Sequence, residues 1–272
     1  MSTPAPRPRQ LAVALTFDFD AESAWLEEGR PASPAAMSRG AYGANEGVRR
    51  VLALLAEYRL PATFFIPGDT AERHAREAHA IVEAGHEIGH HGYLHEPPDT
   101  LTVDEERRMI ERGLTALATI TDTRPLGYRS PSWELSAATF GLLGEYGFRY
   151  DASQLAADRP YWVHDGGRRT DLVEVPGAWE LCDSAHFLFA FSPTYLTGLA
   201  APSKVEEIWL GDFDGLHAEG GDACYVLTMH PQIIGRPHRI ALLRRVIEHM
   251  AARDGVWFAT MGQIADDFRA AQ

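Results

Sequence analysis

The chain has 272 residues, 45% of them hydrophobic and 23% charged, with a formal net charge of −13. That balance describes a globular protein with a full core, and the acidic excess argues against a partner such as nucleic acid or an anionic membrane. No apolar run approaches membrane-spanning length, and two cysteines, Cys182 and Cys224, do not make a disulfide framework.

Residues 1–10, "MSTPAPRPRQ", are polar and Pro-rich and lack the apolar stretch of a secretory signal. A flexible N-terminal tail and a cytoplasmic protein are expected. "LAVALTFDF" then reads as a strand. "NEGVRRVLALLAEYRL" has helical periodicity, with Val48, Leu52 and Leu55 on one face and Asn45 as N-cap. "PATFFIPG" is a second strand. "TAERHAREAHAIVEAG" is a helix capped by Thr70 and ended at Gly85, and "HEIGHHG" is a short strand entering a turn.

The next helix opens at Thr102, with Glu105 three residues on, the pattern of a capping box. "LGYRSP", "FRYDAS" and "LVEVPGAW" read as strands, with the helix "SAATFGLLGEYG" between the first two. "DACYVLTMHP" is the clearest late strand, and Cys224 within it reads as a small core residue. A helix from Pro237, the strand "VWFAT" and a last helix from Met261 complete the chain.

Strands alternating with helices imply an α/β fold with a largely parallel sheet. One domain over residues 11–272 is expected, without repeats or linkers. Stretches 21–44 and 180–222 read as long loops of the kind that form lids or binding surfaces; the second carries the aromatic run "HFLFAFSPTY".

In parallel α/β folds the chemistry gathers at the carboxyl ends of strands. Asp18 and Asp20 end the first strand, spaced so that they share a face. Two carboxylates together repel unless a cation offsets them, or unless the strand simply ends earlier and both acids are solvated. Further on, His86, His90, His91 and His95 follow the third strand, Arg129 and Trp133 the fourth, and His230 a late one. A spacing of four brings His91 and His95 onto one ion where the backbone turns helically, and imidazole suits zinc and similar metals. His86 and His90 are expected behind these ligands. Alone, each residue has an ordinary reading: a surface histidine pair, a surface arginine, a core histidine, core tryptophans. Their recurrence at successive strand ends favours a site.

Five segments in order, "TFDFDAE", "HGYLH", "RSPSW", "WELCD" and "LTMH", resemble the motifs of the polysaccharide deacetylase (NodB-homology) superfamily, carbohydrate esterase family four. The likeness runs over about the whole chain. It implies a single-domain, distorted (β/α)7-type barrel and a divalent metal, commonly zinc. It further implies a hydrolase of non-peptide carbon–nitrogen bonds. By the order of the two acids, which Phe19 separates, Asp18 is implied as base and Asp20 as metal ligand with His91 and His95. His230 is implied as the acid for the leaving amine and Arg129 as the partner of the base. Trp133, Trp179 and Asp183 are implied as substrate contacts.

Gly92 stands where the family usually has Ser or Thr. "FDFDAE", "RSPSWE" and "HPQIIGRPHR" resemble the intracellular subgroup that includes Helicobacter-type peptidoglycan deacetylase and the metal-independent allantoinases and cyclic imidases. That likeness implies either an N-acetylated sugar or a small cyclic amide or imide as substrate, and assembly into a homo-oligomer. The alternative is a non-catalytic carbohydrate- or metal-binding relative. Against it, candidates for base, ligands and acid are all present.

Overall fold

The computed structural model describes residues 11–26, 33–190 and 196–272. The expected tail at 1–10 and part of the aromatic run, 191–195, lie outside the described residues. The strands are β1 (Leu11–Asp18), β2 (Thr63–Ile66), β3 (Glu87–His90), β4 (Gly127–Tyr128), β5 (Tyr150–Asp151), β6 (Tyr161–Asp165), β7 (Arg168–Glu174), β8 (Phe189–Ala190), β9 (Leu196–Thr197), β10 (Cys224–Met229) and β11 (Val256–Phe258). The main sheet runs β10-β1-β2-β3-β4-β5-β7-β6, and β11 also pairs with β1. From β10 to β7 every pair is parallel; only β6 joins antiparallel. After β7 the chain returns to the free edge of β10, where Cys182 bridges Thr228 in parallel. The sheet is thus curled nearly shut, the distorted (β/α)7-type barrel expected.

Alternation along β1 decides what faces the barrel interior. Leu11, Val13, Leu15 and Phe17 join the large apolar cluster under the helices, while Ala12 and Ala14 join a separate one. β10 splits the same way, with Tyr225, Leu227 and Met229 in the first cluster and Cys224 and Val226 in the second. β1 and β10 therefore give small residues to the inner cluster, beside the larger Phe65 and Tyr150. Continuing the period upward places Thr16, Asp18, Thr228 and His230 on the inner face.

Helices α1 (Pro34–Tyr42), α2 (Val48–Tyr58), α3 (Gly68–Arg73), α4 (Ala75–Glu83), α5 (Val103–Thr121), α6 (Thr139–Glu145), α7 (Asp183–Phe187), α8 (Pro202–Glu219), α9 (Pro231–Ile234), α10 (Pro237–Ala251) and α11 (Met261–Ala270) cover the sheet. None of the described helices is long and apolar enough to cross a membrane. The capping box at Thr102 and Glu105 forms as expected. Cys182 and Cys224 are both buried and free.

Several expectations are corrected. Residues 21–44 are not one loop. Ser33 caps α1 with Pro34 in its first turn, and a π turn at Gly43–Gly47 carries α1 directly into α2. Asn45 therefore lies inside a helix rather than capping one. Thr70 lies inside α3, whose N-cap is Pro67, and its hydroxyl donates instead to the Asp20 carbonyl at 2.6 Å. Residues 180–222 hold α7, the small β8–β9 hairpin and the 18-residue α8, which buries Val205, Trp209 and Phe213 along one stripe. β6, unexpected from the sequence, pairs back on β7 across the positive-φ pair Gly166 and Gly167.

Candidate active site

Sheet register brings four strand ends level. Phe17 pairs with Met229, so Asp18 and His230 follow side by side. Ile66 pairs with His90 and His90 with Tyr128, so His91 and Arg129 follow together. Phe19 N–H donates to the Phe65 carbonyl at 2.8 Å, which prolongs the extended backbone past β1 and keeps Asp20 on the side of Asp18. The chain then turns at Ala21, which has φ +48°.

His91 and His95 meet, with ring centroids 5.0 Å apart, but not through a helical turn. The segment is irregular, with positive φ at Gly92 and His95. Its backbone is held from two sides. The N–H groups of Gly68 and Asp69 donate to the Gly92 and Tyr93 carbonyls, and Glu96 accepts from the Tyr93 and Leu94 N–H groups. The positive φ at Gly92 accounts for glycine at that position. His90 is buried between Tyr128 and Phe148, with Nε2 on the Ile110 carbonyl and Nδ1 accepting the Gly92 N–H. It thus supports the turn from behind. His86 packs on Phe64, away from the cavity.

A cavity of about 320 Å³ opens above these residues, lined by Asp18, Asp20, His91, His95, Ser132, Trp133, Trp179 and His230 among others. Inside it, His91 Nε2 is 3.6 Å from Asp20 Oδ1 and 3.9 Å from Asp18 Oδ2. His230 Nε2 is 3.9 Å from an oxygen of each acid. Trp133 and Trp179 meet with ring centroids 4.5 Å apart, and Trp179 is 46% exposed at the rim. Ser132 and Trp133 both have φ +57°, a left-handed pair of the kind that recurs at functional sites.

Arg129 is fully buried behind Asp18. Its Nη1 donates to Asp18 Oδ1 at 2.6 Å and to Thr16 Oγ1 at 2.9 Å, and its carbonyl receives His91 Nδ1 at 2.7 Å. Asp183, expected at the substrate, is instead fully buried behind His230. Its Oδ1 lies 2.6 Å from His230 Nδ1 and its Oδ2 accepts the His230 N–H at 3.0 Å. Both oxygens are occupied because Asp183 opens α7 where Cys182 bridges β10, directly beside His230.

These surroundings drive the titrations apart. Burial pushes Asp18 up, but Arg129, His91 and His230 more than offset it and hold the carboxyl below its usual range. Asp20 has no such guanidinium. Burial, with Asp18 beside it, pushes it up to about 7 against the pull of His230. Burial lowers His91 and takes His95 down to about 3, so both imidazoles are neutral. Burial works against a charge on His230 too, but Asp183 overrides it and lifts His230 well above the ordinary histidine value.

Asp20, His91 and His95 each offer a donor atom within 4.8 Å of the other two. Among the described residues Asp20 Oδ1 is buried with no hydrogen-bond partner. His91 Nδ1 is taken by the Arg129 carbonyl, which leaves Nε2 toward Asp20. A buried carboxylate oxygen without a donor, beside two neutral imidazoles, is a donor set that fits a divalent cation. Sequence reasoning missed Gln232, whose Nε2 donates to Asp20 Oδ2 at 3.0 Å. Its place in "HPQIIGRPHR", two residues past His230, is the signal that could have found it.

The family profile described as polysaccharide deacetylase matches residues 6–150. The chain is 34% identical to the peptidoglycan deacetylase of Helicobacter pylori, over 96% of this chain and 97% of that one. Among solved structures it resembles a putative polysaccharide deacetylase from Mycobacterium smegmatis, with TM-score 0.90 and 41% identity over 100% and 93% of the two chains. It also resembles the PuuE allantoinase, with TM-score 0.85 and 26% identity over 100% and 95%. The chain belongs to the polysaccharide deacetylase family, hydrolases of non-peptide carbon–nitrogen bonds.

Proposed function

We propose that this hydrolase is metal-dependent and cleaves the amide bond of a compact substrate, either a small cyclic amide or imide or an N-acetylated sugar. Asp20, His91 and His95 would hold the metal, with zinc the best match to two imidazoles and a carboxylate. Bound there, a divalent ion supplies Lewis acidity toward an amide carbonyl and acidifies water.

The protein's own residues divide the proton work. Asp18, held ionised by Arg129, takes the proton of the attacking water as its oxygen bonds to the carbonyl carbon. A backbone N–H near Ser132, a residue that lines the cavity, is the donor for the developing oxyanion. Asp183 holds the His230 ring by Nδ1, which leaves Nε2 to face the cavity. His230 gives its proton to the nitrogen as the carbon–nitrogen bond breaks. The observation that carries this reading is geometric: Asp18, paired with Arg129 at 2.6 Å, and His230, held by Asp183 at 2.6 Å, face each other 3.9 Å apart.

The cavity volume lies at the low end for small-molecule sites, and its tryptophan walls suit a flat, compact ligand; both support the small substrate over an extended polymer. We place the enzyme in the cytoplasm. Trp179, Leu196 and Leu199 are large apolar side chains left exposed, which supports assembly with further copies of the chain. Zinc-loaded protein assayed side by side on a cyclic imide and an N-acetylglucosamine oligomer tests the reading. Turnover of the imide is expected; turnover of neither, with zinc bound, leaves the non-catalytic alternative.

A further inference from the structure

Gln232 lies in the segment "HPQIIGRPHR", where the resemblance implies no role for it, yet its amide rests on the proposed metal ligand. The residue is 7% exposed and lines the cavity. Its Nε2 donates to Asp20 Oδ2, while Asp20 Oδ1 has no partner among the described residues. An ionised carboxylate only accepts hydrogen bonds, so the amide must turn its NH2 end toward Asp20. With one oxygen so engaged, the other is left to meet a cation. A residue that orients a ligand in this way commonly matters to affinity as much as to activity.

The amide is braced from behind by the π turn at Gly43–Gly47. A Cβ built on Gly43 would stand 3.1 Å from Gln232 Cβ, N and Oε1 alike. One built on Gly47 would fall 2.0 Å from the Pro231 carbonyl oxygen. Bare helix backbone therefore presses on the Pro231–Gln232 peptide, and only glycine permits that approach. Tyr42 Oη and Arg50 Nη1 both donate to the Gly235 carbonyl, at 3.1 and 3.0 Å, and tie the same helix to the far end of α9. π turns are uncommon and recur at functional sites.

We infer that Gln232 is a positioning residue for the metal: it selects Asp20 Oδ1 as the ligating oxygen, and the glycine face of the π turn sets the place of its amide. The inference rests on the reading of Asp20 as a ligand.

The test is zinc affinity of the full-length, metal-free chain, measured by competition with a chromophoric chelator, beside the melting temperature of the same metal-free samples. Gln232→Met keeps the bulk and removes the donor; it should weaken zinc about 10–100-fold. Gly43→Ala keeps the amide but crowds it, and should weaken zinc in the same direction by less. Zinc bound by Gln232→Met within twofold of the wild type overturns the inference. So does a lower metal-free melting temperature with unchanged affinity, which marks a purely structural role. Should Gln232→Met fail to fold, Gln232→Asn, which shortens the reach by one methylene, decides by the same affinity criterion. Asp20→Asn is the control for the underlying reading: a wild type that binds zinc no better than this variant sinks the metal site itself, and the inference with it.

Discussion

The carboxylate of Asp183 grips His230 twice, through the ring at Nδ1 and through the backbone N–H, at 2.6 and 3.0 Å. One buried acid thereby fixes the ring's rotation, its tautomer and its charge. This is the arrangement by which a carboxylate orients a catalytic imidazole without taking its proton.

Asp183→Asn should keep the metal and lower turnover by about 10²–10⁴-fold. The sign of its pH effect follows from the cause of the shift. Burial lowers His230 and Asp183 more than offsets it, so losing the charge brings His230 down. The alkaline limb of the kcat profile, where the acid loses its proton, should move to lower pH. An unmoved limb would mean that another group donates the proton.

His230→Ala should cut turnover of an amide by about 10²–10⁴-fold, with metal retained. An activated ester leaves without much protonation, so its hydrolysis should be spared. Equal loss on both substrates, measured side by side, would make His230 a structural residue.

Arg129 and Asp18 form a buried ion pair at 2.6 Å, with side chains 0% and 4% exposed. Arg129→Met removes one partner and leaves a buried carboxylate unpaired, a change that costs about 3–5 kcal/mol. Denaturant unfolding should register the loss. Asp18→Asn should keep the metal and lose turnover. If that variant loses the metal while Asp20→Asn keeps it, the roles of the two acids are exchanged.

Far more of the barrel than of its coverings was legible in the sequence. β1 and β10 declare themselves because inner and outer residues alternate, and the acids and His230 extend that alternation past the apolar run. α8 was hidden in a supposed loop, although Pro202 and the spacing of Val205, Trp209 and Phe213 carry a helical signal; a 40-residue structureless stretch should itself have argued for one. α1 was hidden in the same way behind Ser33 and Pro34, whose cap lies far from any apolar run. The site residues at strand ends were readable one by one. Asp183 behind His230 and Gln232 beside Asp20 were not, because each acts through a contact made by residues 47 and 212 positions away.

Asp151 and Glu174 are fully buried as register partners on β5 and β7, and among the described residues Asp151 Oδ2 and Glu174 Oε2 have no hydrogen-bond partner. Burial, with Asp151 beside it, lifts Glu174 well above its ordinary value. The folded protein therefore keeps a proton that the unfolded chain releases above about pH 4.5. Its contribution is complete below that pH and declines as pH rises, by at most about 1.4 kcal/mol per unit until the folded group ionises. Glu174→Gln retains an acceptor for the Gln154 N–H, which now bonds Glu174 Oε1 at 3.0 Å, and needs no proton. It should flatten the fall in unfolding free energy as pH rises above about 5; an unchanged slope contradicts the assignment.

Asp20, His91 and His95 together should hold a single divalent ion. An anomalous difference map from crystals of zinc-loaded protein that turns over substrate would locate that ion. One strong peak is expected, about 2.0–2.2 Å from Asp20 Oδ1, His91 Nε2 and a nitrogen of His95. A peak on Asp18 instead, or no peak at these residues in crystals of active protein, would contradict it.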